Sequence, residues 1–248
     1  MTKLTFFLLS SLMLFTGFHC FSQGTMARDE LEKRSKTIRD NYTNFFSAQQ
    51  LLKNGKSYEE FYPSSKGDQF LIAGGTQKAD IIFQNVAFND IDLNYDIYND
   101  LVLTSYVQKN GLTKLVILDT DKVTKFRLGQ SDFININLNF NKSLEEGIYQ
   151  LAFDGKKSIL LVKRKKELIN TITPTAGEAR YKFIRADRHF IIKNAETAFV
   201  KSKKELMAIF QDDDRMKSFI KRQKIKFKND DEDIMAKLVR ILTYYEHL

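Results

Sequence analysis

The sequence contains no tryptophan, only two prolines and a single cysteine, Cys20. Two prolines and eleven glycines in 248 residues are too few for a collagen-like or low-complexity chain. One cysteine cannot form an internal disulfide, which excludes a small disulfide-stabilised domain. A chain of this length can instead bury a sizeable core, as one large domain or two small ones.

Several catalytic patterns are also missing. The sequence has no G-x-S-x-G elbow, no G-x-x-x-x-G-K-[ST] phosphate loop and no G-x-G-x-x-G turn. Beyond the N-terminal segment the histidines are His189 and His247, which are not at metal-ligand spacing. We interpret His189 as a surface or half-buried hairpin residue. We therefore predict no cofactor, no metal and no catalytic residue. A pair of hydrolase carboxylates would be recognisable only in the three-dimensional structure, because such residues need not be close in sequence.

The first 22 residues have the three-part layout of a secretory signal peptide. Lys3 supplies a positive start, an apolar run covers residues 4–18, and a polar exit follows. The run is about 15 residues, shorter than the roughly 20 that cross a bilayer. Lipidation at Cys20 is the alternative, but His19 stands where lipoprotein processing prefers a small residue. We expect export to the periplasm or outer membrane of a Gram-negative bacterium, and no integral membrane protein after cleavage.

An N-terminal amphipathic helix is predicted in residues 23–54. Between residues 26 and 53, apolar and small residues recur at steps of three and four, and charged residues occupy the other faces. Asn54-Gly55 predicts the end of the helix. We interpret the stripe that holds Leu31 and Ile38 as packing on the body of the protein. The alternative is a docking or membrane-surface helix.

An antiparallel β domain is predicted for residues 55–200. Apolar residues alternate with polar ones, and Asn110-Gly111 and Asp154-Gly155 are typical hairpin turns. We expect a meander with sequential pairing that curls or, alternatively, splits into two layers. A short helix is expected at Lys165–Asn170. Tyr181–Lys193 is expected to be a hairpin. About ten strands are predicted, near residues 68–73, 79–84, 86–97, 101–108, 113–119, 123–128, 133–140, 148–153, 157–163 and 180–199.

Acidic residues two positions apart occur between Asp90 and Asp96 and resemble the start of a calcium loop. An EF-hand loop requires Gly at its sixth position and Glu at its twelfth, where this sequence has Tyr95 and Leu101. Alternation with Ile91 and Leu93 indicates a strand instead. We expect Asp92, Asn94 and Asp96 on its solvent-exposed face.

The C-terminal segment, residues 201–248, returns to helical spacing. We predict a helix over Lys203–Phe210 with Ser202 as its cap. A second helix is predicted to begin at Asp212 to Asp214 and a third at residues 230–233, because acidic residues favour helix N-termini. The fold class is thus α+β: an antiparallel meander, an N-terminal helix and about three C-terminal helices. Basic residues crowd the second helix and its exit. We interpret them as a solvated face or, alternatively, as a contact surface for anions: Lys217, Lys221, Arg222, Lys224, Lys226 and Lys228.

Three stretches together resemble an uncharacterised family of exported Bacteroidota proteins. They are DLNYDIYNDLVL (residues 92–103), GIYQLAFDGKKSILLVK (residues 147–163) and the tail that holds Lys203, Leu206, Phe210 and Tyr244-Tyr245. The resemblance implies a β-rich body followed by a helical tail and an envelope location. It implies no activity and assigns no catalytic residue.

These observations favour a non-enzymatic envelope protein that binds a partner as an accessory or scaffold subunit. The alternative is a periplasmic carrier of a lipid or other apolar ligand, in which Tyr95, Tyr98 and Tyr106 would contact the ligand if the sheet is hollow. A carboxylate-based hydrolase is the third reading. The expected partners are an envelope protein or anionic lipid, and export argues against nucleic acid.

Overall fold

The computed structural model describes residues 22–59, 65–137, 143–171, 180–225, 227 and 234–248. Its contacts divide the chain into two units, Met1–Leu51 and Leu52–Leu248. The predicted signal peptide, apart from Ser22, lies outside the described residues. Helix α1, Ser22–Lys53, ends immediately before Asn54-Gly55, as predicted. In the first unit, the Leu31 and Ile38 side chains are 66% and 68% exposed.

The second unit consists mainly of antiparallel β-sheet. Its described residues form these strands: β1 Lys56–Ser57, β2 Gln77–Phe83, β3 Val86–Asp96, β4 Leu101–Val107, β5 Thr113–Ile117, β6 Val123–Leu128, β7 Ser131–Ile136, β8 Gly147–Asp154, β9 Ser158–Lys163, β10 Lys166–Asn170, β11 Tyr181–Arg185, β12 Arg188–Lys193 and β13 Glu196–Phe199. Eleven strands form one sheet in the order β1-β5-β4-β3-β2-β6-β7-β8-β9-β12-β13, and β10 pairs with β11. The predicted α+β class with an antiparallel sheet is confirmed.

The pairing departs from a sequential meander at β6. This strand pairs with β2, with Ala79 opposite Leu128, and β5 pairs instead with β1, with Lys56 opposite Ile117. The prediction of sequential pairing is wrong at this point, because β2 pairs with β3 along one edge and with β6 along the other. Residues 138–140 of the predicted strand 133–140 lie outside the described residues.

Two local predictions are wrong near β10. Lys165–Asn170 was expected to be helical, but Lys166–Asn170 is strand β10, which is held by five paired registers with β11. Tyr181–Lys193 does not form a hairpin either. β11 pairs with β10, whereas β12 pairs with β9 and β13. Tertiary pairing has overridden the local preference in both cases.

The predicted strand at 68–73 is also wrong. Phe70 makes an isolated bridge with Asp96, and Leu71 N–H donates to Tyr95 O at 2.8 Å. The chain then bends away through Gly74 and Gly75, whose φ angles are +91° and +107°. Only glycine adopts these angles easily, so the pairing stops before a strand can form.

The β3–β4 turn contacts the end of β9 although β2, β6, β7 and β8 lie between β3 and β9 in the sheet. Lys163 Nζ at the end of β9 donates to Asp100 Oδ2, in the β3–β4 turn, at 2.6 Å. Neighbouring strands lie about 4.8 Å apart, so these ends would be roughly 24 Å apart in a flat sheet. The sheet must therefore bend strongly between them.

Three short helices follow the sheet: α2 Lys203–Ile209, α3 Asp214–Arg222 and α4 Ile234–Glu246. Ser202 Oγ accepts from Glu205 N–H at 3.2 Å and Asp213 Oδ1 from Arg215 N–H at 2.9 Å, so side chains cap α2 and α3 as expected. Residues 230–233, expected to begin the third helix, lie outside the described residues. Among the helices in the described part, none is long and apolar enough to cross a membrane.

The helices pack on one face of β9 and β12. Leu160 and Val162 of β9 and Ile191 of β12 form this side of the core, together with buried helix residues that include Leu206, Phe210, Met216, Ile220, Leu238 and Leu242. The opposite face of β9 places Leu161 against Tyr149 and Ile136. β9 is thus buried on both faces, which explains its continuous apolar run.

Candidate functional site

The predicted basic surface is only partly described. Lys217 is 2.5 Å from Asp214 in an ion pair, so its charge is locally balanced. Lys221, Arg222 and Lys224 are exposed, and no ion pair involves them within the described residues. Lys226 and Lys228 lie outside those residues. The C-terminal end of helix α3 carries partial negative charge, so the helix itself accounts for Lys221 and Arg222 there. An anionic contact at this surface remains a prediction.

The three tyrosines proposed as ligand contacts occupy different environments. Tyr95 is fully buried, whereas Tyr98 and Tyr106 are half-buried. Tyr95 packs edge-on against Phe126 and Phe133 at centroid distances of 5.8 and 5.7 Å, and those two rings stack at 4.7 Å. These rings fill the space between the strands that carry them. Tyr95 is therefore not available to a ligand in this structure.

The prediction that three polar residues of β3 lie on a solvent-exposed face is wrong for two of them. Asp92 is partly exposed and pairs with Lys78, but Asn94 and Asp96 are buried. Asp96 accepts from Tyr58 Oη at 2.8 Å and from the N–H groups of Tyr98 and Asn99 at 3.0 and 2.9 Å. These bonds organise the β3–β4 turn and occupy both carboxylate oxygens. Asp96 is thus a structural residue.

The same turn carries a second carboxylate in a charged cluster. Asp100 adopts φ +60°, an uncommon angle for a non-glycine residue. Its Oδ1 accepts from Tyr95 Oη at 2.5 Å and its Oδ2 from Lys163 Nζ at 2.6 Å. Burial and the negative charge of Asp100 hold the pKa of Tyr95 well above its usual value. Tyr95 therefore stays protonated and acts as a hydrogen-bond donor.

A further, half-buried cluster surrounds Asp187, between β11 and β12. Asp187 accepts from Arg164 Nη1 at 2.5 Å, from Arg185 Nε at 3.0 Å and from Lys165 N–H at 3.0 Å. His189 lies nearby and is buried, so its prediction as a surface or half-buried residue is wrong. Burial lowers the pKa of His189 to about 4, against the opposing charge of Asp187. At neutral pH this imidazole is uncharged and a weak base.

The three carboxylates described above are all engaged in hydrogen bonds within the fold. Asp96, Asp100 and Asp187 each already accept several hydrogen bonds, and Tyr95 stays protonated. No group of three or more His, Cys, Asp or Glu residues that could hold a metal is found in the ranges that the structure describes. These clusters fix the ends of the strands relative to one another.

A groove of about 510 Å³ lies between α2 and the β12–β13 hairpin. Its apolar wall includes Ile191, Ala198, Phe199, Ala208 and Ile209. Asn194 and Ala195 connect the two strands with φ angles of +51° and +63°, which gives the tight turn expected of a two-residue hairpin. Strand β13 is the last strand of the sheet, so the groove runs along a sheet edge.

The charged residues of the groove are mainly acidic. Lys193 is engaged, because its Nζ donates to Ile209 O at 2.9 Å and lies over the rings of Phe210 and Tyr245. Glu205 accepts from Lys201 N–H at 2.8 Å. Glu196 and Asp212 are exposed and form no ion pair with any residue described. The groove therefore combines apolar walls with a net negative rim.

Sequence reasoning did not find this groove. Its residues come from positions 191 to 212, and their period changes from two to 3.6 within that range. The turn at Asn194 and the cap at Ser202 could have predicted a hairpin followed by a helix. They could not have predicted the space between them. Comparisons with protein-family models, with curated proteins and with solved structures find no match for this chain.

Proposed function

We propose that this chain is an exported cell-envelope protein that binds a partner as an accessory or scaffold subunit and catalyses no reaction. The groove between α2 and the edge strand β13 is the observation that carries this proposal. The carboxylates of Asp96, Asp100 and Asp187 favour it as well, because they accept hydrogen bonds within the fold. Export rests on the predicted signal peptide in residues 1–22.

The partner segment that fits this groove is an extended strand. An edge strand offers backbone groups to a further strand, and side-chain pockets beside the edge add specificity. Phe199 is 42% exposed and stacks on Phe190, which provides an apolar platform at the edge. The carboxylates of Glu196 and Asp212 favour lysine or arginine in the segment. An extended segment with basic and apolar residues is therefore the expected occupant.

A curled β body is part of this proposal. The contact between Asp100 and Lys163 supports it, because four strands separate β3 from β9. The stacked rings of Phe126 and Phe133 with Tyr95 argue for a filled interior. A filled interior favours the scaffold over the carrier of an apolar ligand. Membership of the family of exported Bacteroidota proteins that the sequence resembles belongs to the same proposal.

Site-specific crosslinking in the producing cells tests the groove. A photo-reactive amino acid replaces Phe199 in the groove or, as a control, the exposed Lys125 on β6. Ala208→Trp fills the groove from the exposed face of α2, and Lys204→Trp is its matched control outside the groove. We expect one protein to crosslink at position 199. Ala208→Trp should abolish this crosslink, whereas Lys204→Trp should leave it unchanged. The proposal is wrong if Ala208→Trp leaves the crosslink unchanged or if position 199 captures nothing.

A further inference from the structure

The tip of the β4–β5 hairpin exposes two apolar side chains. Val107 is 68% exposed and Leu112 is 64% exposed, more than any other large apolar residue described in the second unit. The loop is tight: Gln108 N–H donates to Leu112 O at 2.8 Å and Gly111 N–H donates to Gln108 O at 2.9 Å. The two side chains are thus presented by a short, hydrogen-bonded turn.

These side chains point to opposite faces of the hairpin. Val107 is paired with Thr113, whereas Leu112 lies opposite Gln108, one position further along. Successive residues of a strand face opposite sides, so one apolar group lies on each face of the tip. A protein partner packed on one face would cover only one of them. A medium that surrounds the tip would cover both.

The charge around the tip is positive. Residues 101–118 contain Lys109 and Lys114 and no acidic residue. Lys53 also lies here, with its Nζ 5.7 Å from the ring centroid of Tyr106, which pairs with Lys114 across the strands. None of these lysines forms an ion pair with the residues that the structure describes. The tip therefore combines exposed apolar groups with uncompensated cations.

We infer that this hairpin tip inserts into the surface of an anionic lipid bilayer. Val107 and Leu112 enter the boundary between headgroups and acyl chains, and the lysines contact anionic headgroups. Interfacial segments bind lipid by this combination of apolar burial and electrostatic attraction. The inference is independent of the groove, because β4 and β5 lie near the β1 end of the strand order and β13 is at the other end.

A dye placed at the tip tests insertion directly. The chain is purified after export, with Cys20→Ser so that an introduced cysteine is the only thiol. Asn110→Cys carries an environment-sensitive dye at the tip, and Lys125→Cys on β6 is the control. The vesicles contain phosphatidylcholine mixed with the anionic lipid phosphatidylglycerol, or phosphatidylcholine alone. We expect a blue shift at position 110 with anionic vesicles and no shift at position 125. The absence of a shift at position 110 would overturn the inference.

Variants then separate the apolar from the charged contribution in vesicle sedimentation. Val107→Ser with Leu112→Ser should lower the partition coefficient by at least about tenfold, since both apolar anchors are lost. Ile169→Ser, an exposed apolar residue on β10, is the matched control and should change nothing. Lys109→Gln with Lys114→Gln should weaken vesicle binding about fivefold per lysine. Added salt should also weaken the binding of the unaltered chain, because it screens the attraction between lysines and headgroups. Equal sedimentation of the double serine variant and the unaltered chain would contradict the inference, whatever the crosslinking at the groove shows.

Discussion

Lys163 and Asp100 form a 2.6 Å ion pair between the end of β9 and the β3–β4 turn, although four strands lie between β3 and β9. The side chain of Lys163 is 11% exposed and that of Asp100 is 33% exposed. Gly147, the first residue of β8, lies against this pair. One contact thus connects the turn, the start of β8 and the end of β9, and so holds the bend of the sheet.

Gly147 should be intolerant of a side chain. A Cβ at this position would collide with Asp100 Oδ2 and Lys163 Nζ, and its φ of +123° disfavours any other residue. Gly147→Ala should lower the free energy of unfolding by about 3 kcal/mol, as the sum of overpacking and backbone strain. Denaturant unfolding measures this. Gly129→Ala is the control, because Gly129 has φ +61° and nothing within 4 Å of an added Cβ. Equal losses in the two variants would show that the ion pair does not constrain position 147.

The Asp100–Lys163 pair should couple strongly in a double-mutant cycle. We expect a coupling energy above about 1 kcal/mol from Lys163→Met, Asp100→Asn and the double variant, because the pair is half-buried and therefore less screened by solvent. Arg127 and Asp132 provide the exposed control pair, with side chains 61% and 48% exposed. Surface pairs of this kind contribute roughly 0–1 kcal/mol. If the Asp100–Lys163 pair couples no more than the surface pair, it does not hold the sheet in its bent form.

Local sequence patterns predicted the type of most elements correctly. Period-two runs gave the strands of the sheet, and the caps at Ser202 and Asp213 marked the starts of α2 and α3. These features depend on neighbouring residues, so a sequence displays them directly. The helix predicted at Lys165–Asn170 is wrong. Lysine and glutamate favour a helix locally, but pairing with β11 makes this segment a strand.

The candidate sites could not be predicted in the same way. Asp96 and Asn94 alternate with apolar residues as a solvent-exposed face does, yet partners as distant as Tyr58 and Gly75 bury them. The charged pair of Asp100 and Lys163 joins residues 63 positions apart. No local pattern encodes such a contact. The groove similarly depends on where α2 packs relative to β13.

His189 should make the protein less stable at mildly acidic pH. Burial lowers its pKa to about 4, below the value of 6.5 expected in the unfolded chain. The unfolded chain therefore binds a proton first as the pH falls below 6.5, and stability is lost progressively down to pH 4. The loss should reach about 3 kcal/mol. Denaturant unfolding of the unaltered chain and of His189→Gln between pH 7 and 4 (a window set by those pKa values) measures it. An unchanged pH dependence in the variant would refute this role of His189.

Glu246 should hold the end of α4 against the β8–β9 turn. Its carboxylate accepts from Lys156 N–H and Lys157 N–H, each at 3.0 Å, and from Ser158 Oγ at 3.1 Å. Desolvation raises the pKa of Glu246, but the hydrogen bonds from Lys157, Ser158 and Lys156 outweigh it and lower the pKa overall. The stabilisation is therefore present above the unfolded pKa and is lost as the pH falls through the folded one.

Glu246→Gln should accordingly lower the Tm at pH 7, and the difference from the unaltered chain should shrink below about pH 4. Thermal unfolding at a series of pH values measures both effects. Glu167→Gln, on the exposed part of β10, serves as a control with no expected change in Tm. A Tm difference that persists at acidic pH would mean that ionised Glu246 is not the stabilising group.

Native mass spectrometry of the chain, purified gently from the envelope of the producing cells, tests the central claim of partner binding most directly. We expect a mass increased by a whole protein subunit, and its loss in the Ala208→Trp variant but not in Lys204→Trp. A lipid-sized adduct that disappears on denaturation, and that persists in the Val107→Ser, Leu112→Ser variant, would instead indicate a carrier and would contradict the scaffold function. A bare mass in the unaltered chain would contradict stable partner binding along β13.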